Sequence, residues 1–499
     1  MLLKKSIARR WVTLVAVIAA FLPVVVDMTI LHIAVPSLTV ALGATATEIL
    51  WIIDIYPLLM AGLLVPMGTL GDRVGYRTMM IIGLWVFGIA SVFAAFAPTA
   101  SALIGARALL ALGGSMIMPS VLALVRQTFE DENERAKALG IWTVVGSAGG
   151  AIGPLIGGIL LEHFWWGSVF LVNVPLILIV LPLNYMLVPA SPGRRSVEWK
   201  IGHAMILISG LLATVYAIKS SVKADSSMIL ALVTFAVGIG LLIGFGRLQM
   251  RSASPMLDLR LFRNSAISAG LLMAFVASGA MAGFELVLAQ ELQYVFGKTP
   301  LEAGIFMLPL VVASAISGPV AGALVGTVGL RILSVCGLVA AGASLGGIAL
   351  TNIQTDPVLT AVMLAVFGFS VGTALLASSV AIMGGASAEM AGAAGSLEST
   401  GYELGAALGI TFFGVLLGSI YQTYFSLPGF AASSPAASSI GEAMVIVGAM
   451  GSVEGAAVVA AAKEAFSNAH VLVVGTASVL ITGLGLAVWV MLGVRQAET

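Results

Sequence analysis

Long apolar segments separated by short polar breaks run along almost the whole chain. A helix needs roughly 20 apolar residues to cross a bilayer. By that measure the pattern predicts fourteen membrane-spanning helices, near 11–39, 47–70, 78–97, 101–126, 135–160, 166–188, 202–219, 228–247, 265–295, 300–325, 331–350, 357–384, 391–420 and 469–493. The longest break, 421–468, begins with a Ser/Pro/Ala-rich stretch. We expect its second part, 441–466, to form a short hairpin on the outer face rather than two further spans.

The composition supports a membrane protein. Of the 499 residues 60% are apolar and only 9% are charged, with a mean hydropathy of +1.10. A soluble domain is about one quarter charged. The 23 basic and 23 acidic residues balance, which gives no case for nucleic acid as a partner. One cysteine, Cys336, excludes an internal disulfide framework, and four scattered histidines argue against a metal centre.

The distribution of basic residues indicates the orientation, because cytoplasmic turns are enriched in Lys and Arg. Eighteen of the 23 basic residues fall at the two termini and in the even-numbered turns. We therefore expect both termini to be cytoplasmic. The opposite face holds only Lys219, Lys223, Lys298 and Lys463, and Arg107 is the one basic residue placed deep within a span.

An internal repeat indicates how the spans are organised. Residues 62–77 and 316–331 are similar at an offset of 254 positions, at the ends of spans 2 and 10. The matched pairs are Gly68 with Gly322, Gly75 with Gly329, and Arg77 with Arg331. This spacing fits two six-helix halves that flank two additional spans. Halves packed around a midplane cavity are typical of transporters.

We accordingly predict an all-α integral membrane protein in three parts. The parts are an N-terminal six-helix half (1–190), two additional transmembrane helices with cytoplasmic linkers (191–264) and a C-terminal six-helix half (265–499) that carries the outer loop 421–468.

Four motifs carry a family resemblance. They are GTLGDRVGYR (68–77), GSAGGAIGPLIGG (146–158), DMTILHIAVP (27–36) and WWGSVFLVNVP (165–175). In this order they resemble the fourteen-helix drug:H⁺ antiporter branch of the major facilitator superfamily. One motif departs from the pattern. RALLALGG keeps Arg107, but Leu110 and Ala111 stand where relatives have Gln-Gly.

The resemblance implies a proton-coupled multidrug efflux transporter rather than an enzyme. It would export lipophilic organic cations (quaternary ammonium, viologen, biguanide and dye-type compounds) by alternating access, from the inner membrane of a bacterial cell. The expected partners are these cations, protons and the lipid bilayer. No cofactor is expected besides the proton motive force, and a monomer suffices for the mechanism.

Carboxylates within spans are the strongest candidates for the chemistry, because a charge in hydrocarbon is costly and normally faces a cavity. Asp27 in span 1 and Glu285 in span 9 lie at comparable depths, one in each half, and Asp54 enters span 2 from the outer side. Such groups can exchange protons and hold an organic cation, so proton and substrate would compete for them. The alternative is a structural pair with Arg107. As a fixed cation, Arg107 would instead modulate Asp27 or Asp54.

Span 13 contains two more carboxylates, Glu398 and Glu403, about one turn apart. They are candidates for a second cation site or a proton relay, although Glu398 could equally lie in water near the cytoplasm. Glu291, near the outer end of span 9, is interpreted as a rim residue.

Other candidates serve conformational change and substrate contact. Asp72, Arg73 and Arg77 lie in a cytoplasmic turn, where Asp72 would cap the next helix or pair across to the other half. Gly153 and Pro154 belong to a small-residue face of span 5 that permits close packing and bending. The aromatic candidates for cation–π contact with substrate are Tyr56, Phe284, Trp51 and Tyr294, with interface anchoring as the alternative for Trp51 and Tyr294.

Competing functions fit less well. A facilitator or symporter for a neutral small solute would not need Asp27 and Glu285 in its spans. A lipid-acting membrane enzyme would need paired aspartates or a Ser/His nucleophile at cavity depth, and the sequence has neither. A sensor or scaffold would not need carboxylates in both halves.

Overall fold

The computed structural model describes residues 2–129, 131–190, 193, 199–221, 227–252, 255–386, 390–427, 434–448, 450 and 452–497. Its α-helices are α1 (Leu2–Leu42), α2 (Ala46–Val74), α3 (Tyr76–Ala95), α4 (Ala100–Thr128), α5 (Glu132–His163), α6 (Ser168–Leu171), α7 (Asn173–Leu187), α8 (Ile201–Ser221), α9 (Met228–Arg251), α10 (Ser265–Gln290), α11 (Pro300–Val328), α12 (Leu330–Leu350), α13 (Pro357–Gly385), α14 (Ala391–Tyr424), α15 (Pro435–Ser438), α16 (Ile440–Val447) and α17 (Ser452–Ala497). A 3₁₀ turn spans Leu259–Arg263 and a π-helical turn spans Glu291–Val295. The described chain contains no β-strand.

The predicted all-helical membrane architecture is confirmed. Within the described ranges, thirteen helical segments are long and apolar enough to cross a membrane. Helix α5, 32 residues long, stands at the position of the remaining predicted span. Fourteen spans are therefore consistent with the structure. Among the basic residues counted for the orientation, Arg194 and Arg195 of a predicted cytoplasmic turn and Lys223 of the opposite face lie outside the described residues.

Four glycines with positive φ mark the internal repeat in the backbone. Among the described residues these are Gly43, Gly75, Gly297 and Gly329, with φ of 57°, 96°, 64° and 86°. They form two pairs, Gly43 with Gly297 and Gly75 with Gly329, and both pairs have the 254-position offset seen in the sequence. Positive φ is accessible to glycine at little cost. The turn before α2 therefore recurs before α11, and the turn after α2 recurs after α11.

The caps and side-chain contacts of these turns repeat as well. Thr45 with Glu48 and Thr299 with Glu302 form capping boxes that satisfy the first free N–H groups of α2 and α11. Past the second turn, the Arg77 guanidinium lies over the Tyr185 ring and donates to the Tyr185 carbonyl. Its repeat partner Arg331 does the same at Trp489, with Nε 2.9 Å from the carbonyl oxygen. Each half thus ties the turn after its second helix to its last helix.

The hydrophobic core consists of two main clusters, one in the N-terminal part of the chain and one in the C-terminal part. One cluster of buried apolar side chains comes almost entirely from residues 14–188, and a second almost entirely from residues 266–492. A third joins α8 and the segment after α9 to α2, α10 and α14. Helices α8 and α9 pack closely, since a Cβ at Gly238 would lie 2.5 Å from Thr214 Oγ1. The additional helices therefore lie against both sets.

The two sets approach one another at the end opposite the chain termini, which we call the outer end after the predicted orientation. A Cβ at Gly304 of α11 would lie 2.8 Å from the carbonyl oxygen of Pro154 in α5. Gln293 donates to the carbonyl of Ile33 at 3.0 Å. The N–H of Ala46 donates to Glu442 of α16 at 2.8 Å. These contacts close the bundle at its outer end.

The segment before the last span differs from the prediction. Residues 452–468 do not belong to a separate hairpin, because α17 runs without interruption from Ser452 to Ala497. The Ala-rich sequence there favours helix. Its polar residues are tolerated because Glu454 and Glu464 are exposed, whereas Phe466 faces the bundle. Because the predicted span was defined by its uncharged residues, it starts at 469, whereas the helix starts at Ser452.

Candidate functional site

The centre of the N-terminal set is a buried ion pair between α1 and α4. Arg107 Nη1 donates to Asp27 Oδ2, and the side chains are 2% and 0% exposed. Arg107 Nε also donates to the carbonyl of Ile52 at 3.1 Å. The second Asp27 oxygen accepts from Asn173 Nδ2 at 3.3 Å. The pairing raised from the sequence as the structural alternative is thus present, and it does not involve Asp54.

Tyr56 lies beside this pair. The Arg107 guanidinium lies 4.7 Å from the centre of the Tyr56 ring. The Tyr56 hydroxyl packs over Gly114, where a Cβ would lie 2.7 Å from it. It is buried and has no hydrogen-bond partner among the described residues. Tyr56 therefore contacts the protein's own buried cation.

Asp54 belongs to a second buried pair that the sequence reading missed. Lys219 Nζ lies 2.7 Å from Asp54 Oδ2, with side-chain exposures of 1% and 0%. Thr411 Oγ1 of α14 donates to the same carboxylate oxygen. The ammonium also lies over the Trp51 ring, 4.0 Å from its centre. Lys219 therefore lies at the outer end of its helix, on the side where the sequence placed it, but its side chain is buried rather than exposed. Lys219 lies in the last turn of α8, and its ammonium lies on Asp54.

Glu285 and Glu403 differ from the two aspartates. They are 6% and 4% exposed, in α10 and α14. Within the described ranges neither has an ion-pair partner. Glu403 Oε2 is buried with no hydrogen-bond partner there. An unpaired carboxylate at this depth is stable in its neutral form, because burial penalises the charged one.

The remaining acidic residues are also enclosed. Glu398 is 7% exposed and accepts from the Tyr402 hydroxyl at 2.7 Å, so the alternative of a solvated Glu398 is not realised. Glu291 is 5% exposed, and His470 Nδ1 lies 2.9 Å from its Oε2. The reading of Glu291 as a rim residue is therefore wrong. The π-helical turn that begins at Glu291 packs against α17, which carries His470.

The predicted gating turn makes its polar contacts locally. Asp72 accepts from the hydroxyl of Tyr76, the first residue of the next helix, at 2.7 Å, rather than pairing across to the other half. Asp72 and Arg73 are both exposed. The backbone carbonyl of Arg73 is covered by Gly193, where a Cβ would lie 2.1 Å from it. Arg77 is held by Tyr185.

The small-residue face of α5 packs on α1 beside Asp27. A Cβ at Gly153 would lie 2.0 Å from Thr29 Oγ1, and one at Gly157 would lie 2.8 Å from Ile30 Cγ1. The opposite side of the same turn touches α11 through the Pro154 carbonyl. Gly153 and Pro154 thus lie where α5 joins the two sets.

The last two aromatic candidates lie away from the ion pairs. Phe284 packs edge-on against Phe367, with ring centres 5.1 Å apart, inside the C-terminal core. Tyr294 lines a mainly apolar cavity of ≈ 60 Å³ at the outer end, together with residues at the start of α16, Ser439–Gly441. Of the four aromatic candidates, Tyr56 and Trp51 therefore contact buried cations.

Sequence reasoning also missed Asn173 and Thr411, the polar partners of the two aspartates. A lone Asn inside a span is a recognisable signal, because an unpaired amide in hydrocarbon is costly. Asn173 follows the break at Val172 that divides predicted span 6 into α6 and α7. Thr411 has no such signal, since a threonine can satisfy its hydroxyl on its own helix. Within the described ranges no group of three or more His, Cys, Asp and Glu could hold a metal ion.

The helices and the repeated turns define a multi-pass membrane protein built from two similar halves. The family model of the Major Facilitator Superfamily matches residues 17–410, and the chain belongs to that family, which makes it a transporter rather than an enzyme.

Individual relatives narrow the comparison. The chain is 46% identical to the methyl viologen resistance protein SmvA of Salmonella typhimurium, over 98% of this chain and 99% of that protein. It is 36% identical to the multidrug efflux pump LfrA of Mycolicibacterium smegmatis, over 92% of each chain. Its fold is similar to the crystal structure of a bacterial homolog of the human lysosomal transporter Spinster in an inward-facing, unoccupied conformation. That similarity has a TM-score of 0.67 at 17% identity, over 97% of each chain.

Proposed function

We propose that the protein is a drug efflux transporter that exports lipophilic organic cations in exchange for protons, by alternating access, across the inner membrane of a bacterium. The efflux assignment is supported by the similarity to SmvA and LfrA along nearly the full chain. The cationic substrate class is supported by the name of SmvA, since methyl viologen is an organic dication, and by the acidic character of the buried site.

The observation that carries the proton coupling is that two buried carboxylates, Glu285 and Glu403, have no ion-pair partner among the residues that the structure describes. A buried carboxylate can lose its proton when a cation arrives to balance the charge. Both glutamates lie on helices of the C-terminal set, α10 and α14, that pack against one another. A neutral solute would give no reason to keep two such groups in hydrocarbon, which disfavours the alternative of a facilitator or symporter for a neutral small solute.

Competition at these carboxylates gives the transport cycle. A lipophilic cation that enters from the cytoplasm binds as a glutamate releases its proton. After the bundle opens outward, protonation from outside removes the negative charge and the cation leaves. The cation and the proton thus use one site at different times, which couples their movements without a further ligand.

The sets 1–190 and 265–499 are the moving units of this proposal. The structure is closed at the outer end by the contacts of α5 with α11 and of α16 with α2. These contacts would break in the outward-open state. Gly153 and Pro154 lie at the junction that must change, and the turn of Asp72, Arg73 and Arg77 lies at the opposite end, where closure would then be required.

The test is efflux of the dye cation ethidium from proteoliposomes with and without an imposed pH gradient. We expect the gradient to accelerate efflux, and Glu285→Gln to abolish both this acceleration and substrate-induced proton release in detergent. Glu464→Gln, an exposed carboxylate on α17, is the matched control and should behave as wild type. Efflux that does not depend on the gradient would refute proton coupling, and normal proton release by Glu285→Gln would exclude that residue from it.

A further inference from the structure

We propose that Lys219 is a tethered cation that occupies a second substrate-cation position, separate from the glutamates and formed by Asp54 and Trp51, and that a transported organic cation displaces it. This inference rests on the proposed function. It gives the additional helix α8 a role in substrate recognition, because α8 supplies the lysine.

The geometry is that of a cation site already filled. The Lys219 ammonium lies 2.7 Å from a carboxylate oxygen of Asp54 and 4.0 Å from the centre of the Trp51 ring. A carboxylate together with the face of an indole is the combination that recognises organic cations, and Trp is the most favourable ring for it. A quaternary or phosphonium cation could make the same two contacts, because neither requires an N–H donor.

The site also has capacity beyond the lysine. Asp54 Oδ1 is buried and has no hydrogen-bond partner among the described residues. Thr411 of α14 donates to the other oxygen, so α2, α14 and α8 all meet at this carboxylate. A ligand here would therefore contact the N-terminal set, the C-terminal set and the additional helices at once.

Lys219 has a way to leave. It lies two residues before α8 ends at Ser221, near the outer end of the bundle. A lysine at a helix end can extend its four-carbon chain toward the interface and keep its charge hydrated. A buried lysine that served only for stability would be an expensive choice, since an apolar pair of the same size is often at least as stable. A removable cation explains why the pair is kept.

The first experiment is binding of tetraphenylphosphonium to the purified full chain. If the open site is populated about one tenth of the time, removal of the tethered competitor tightens the apparent affinity about tenfold. We therefore expect Lys219→Met to bind about tenfold more tightly than wild type, and Lys219→Arg to bind no more tightly. The gain should disappear in the double variant Lys219→Met, Asp54→Asn. Equal or weaker binding by a folded Lys219→Met overturns the proposal, because a purely structural lysine predicts that result.

The second experiment needs no variant. Acetylation of Lys219 by an amine-reactive reagent is quantified by mass spectrometry with and without saturating tetraphenylphosphonium, with exposed Lys137 as the internal reference. Displacement predicts a several-fold rise in Lys219 labelling relative to Lys137, and unchanged or decreased labelling overturns the proposal even if Lys219→Met does not fold. Wild-type protein that binds no tetraphenylphosphonium would refute the cationic substrate class, and this inference with it. Binding without a rise in labelling refutes the inference alone.

Discussion

The Asp27–Arg107 pair permits a test that separates structure from transport. Asp27→Asn leaves the Arg107 guanidinium buried without a counter-charge, and breaking one side of such a pair destabilises by about 3–5 kcal/mol. We expect the lower end of that range. Arg107 keeps the Ile52 carbonyl at 3.1 Å and the Tyr56 ring at 4.7 Å, and the asparagine oxygen can still accept one hydrogen bond.

The double variant Asp27→Asn, Arg107→Met provides the decisive comparison. Because it removes both charges, we expect it to recover most of the lost free energy of unfolding. If the Asp27 carboxylate acts directly in transport, the double variant will be stable but inactive. Stability would be measured by thermal unfolding in detergent, and activity by ethidium efflux from proteoliposomes.

Two outcomes would contradict this reasoning. Wild-type efflux by Asp27→Asn would show that the carboxylate is not needed. Recovery of efflux together with stability in the double variant would show that Asp27 serves only to neutralise Arg107. Loss of activity in both variants, with stability restored in the second, is the predicted pattern.

Two further perturbations test the conformational parts of the site. Gly153→Ala forces the new methyl group against Thr29 and should cost about 1–3 kcal/mol of stability, as in other overpacked contacts, with reduced efflux. In Gly150→Ala the nearest atom is 3.9 Å away, so it is the control, and equal effects in thermal unfolding would refute the packing argument. Asp72→Asn should slow ethidium turnover about tenfold with little change in affinity. A tenfold slower rate corresponds to roughly 1.5 kcal/mol, the contribution of one hydrogen bond to a charged group. Tyr76→Phe should reproduce that effect, and a large loss of affinity in either variant would contradict a gating role.

Local signals in the sequence account for the turns and most of the helices. The pattern G-x-T-x-x-E occurs at 43–48 and again at 297–302. Both copies form a positive-φ turn followed by a capping box. These features depend on the backbone conformations open to glycine and on hydrogen bonds between near neighbours, so they can be predicted without the tertiary fold. The same offset in Gly75 and Gly329 makes the repeat visible twice.

The ends of helices and the partners of individual charged residues are harder to predict from the sequence. The start of α17 at Ser452 depends on the exposure of Glu454 and Glu464, which hydropathy along the chain does not report. In the sequence, Lys219 looks like an ordinary polar residue at the end of a span. Its burial depends on its ion pair with Asp54 of α2, which is distant in the chain.

By itself, the sequence determined the class of protein, the membrane-spanning helices, the expected orientation and the set of carboxylates that lie in costly positions. Those properties follow from the length of apolar runs, the placement of basic residues and motifs that are local in the chain. Only the tertiary structure decided the partners. Arg107 lies 80 positions from Asp27, and Thr411 lies 357 positions from Asp54. Which carboxylates are neutralised, and which are left for a proton or a cation, depends on how distant helices pack, because a salt bridge acts over a few ångströms in space and not along the chain.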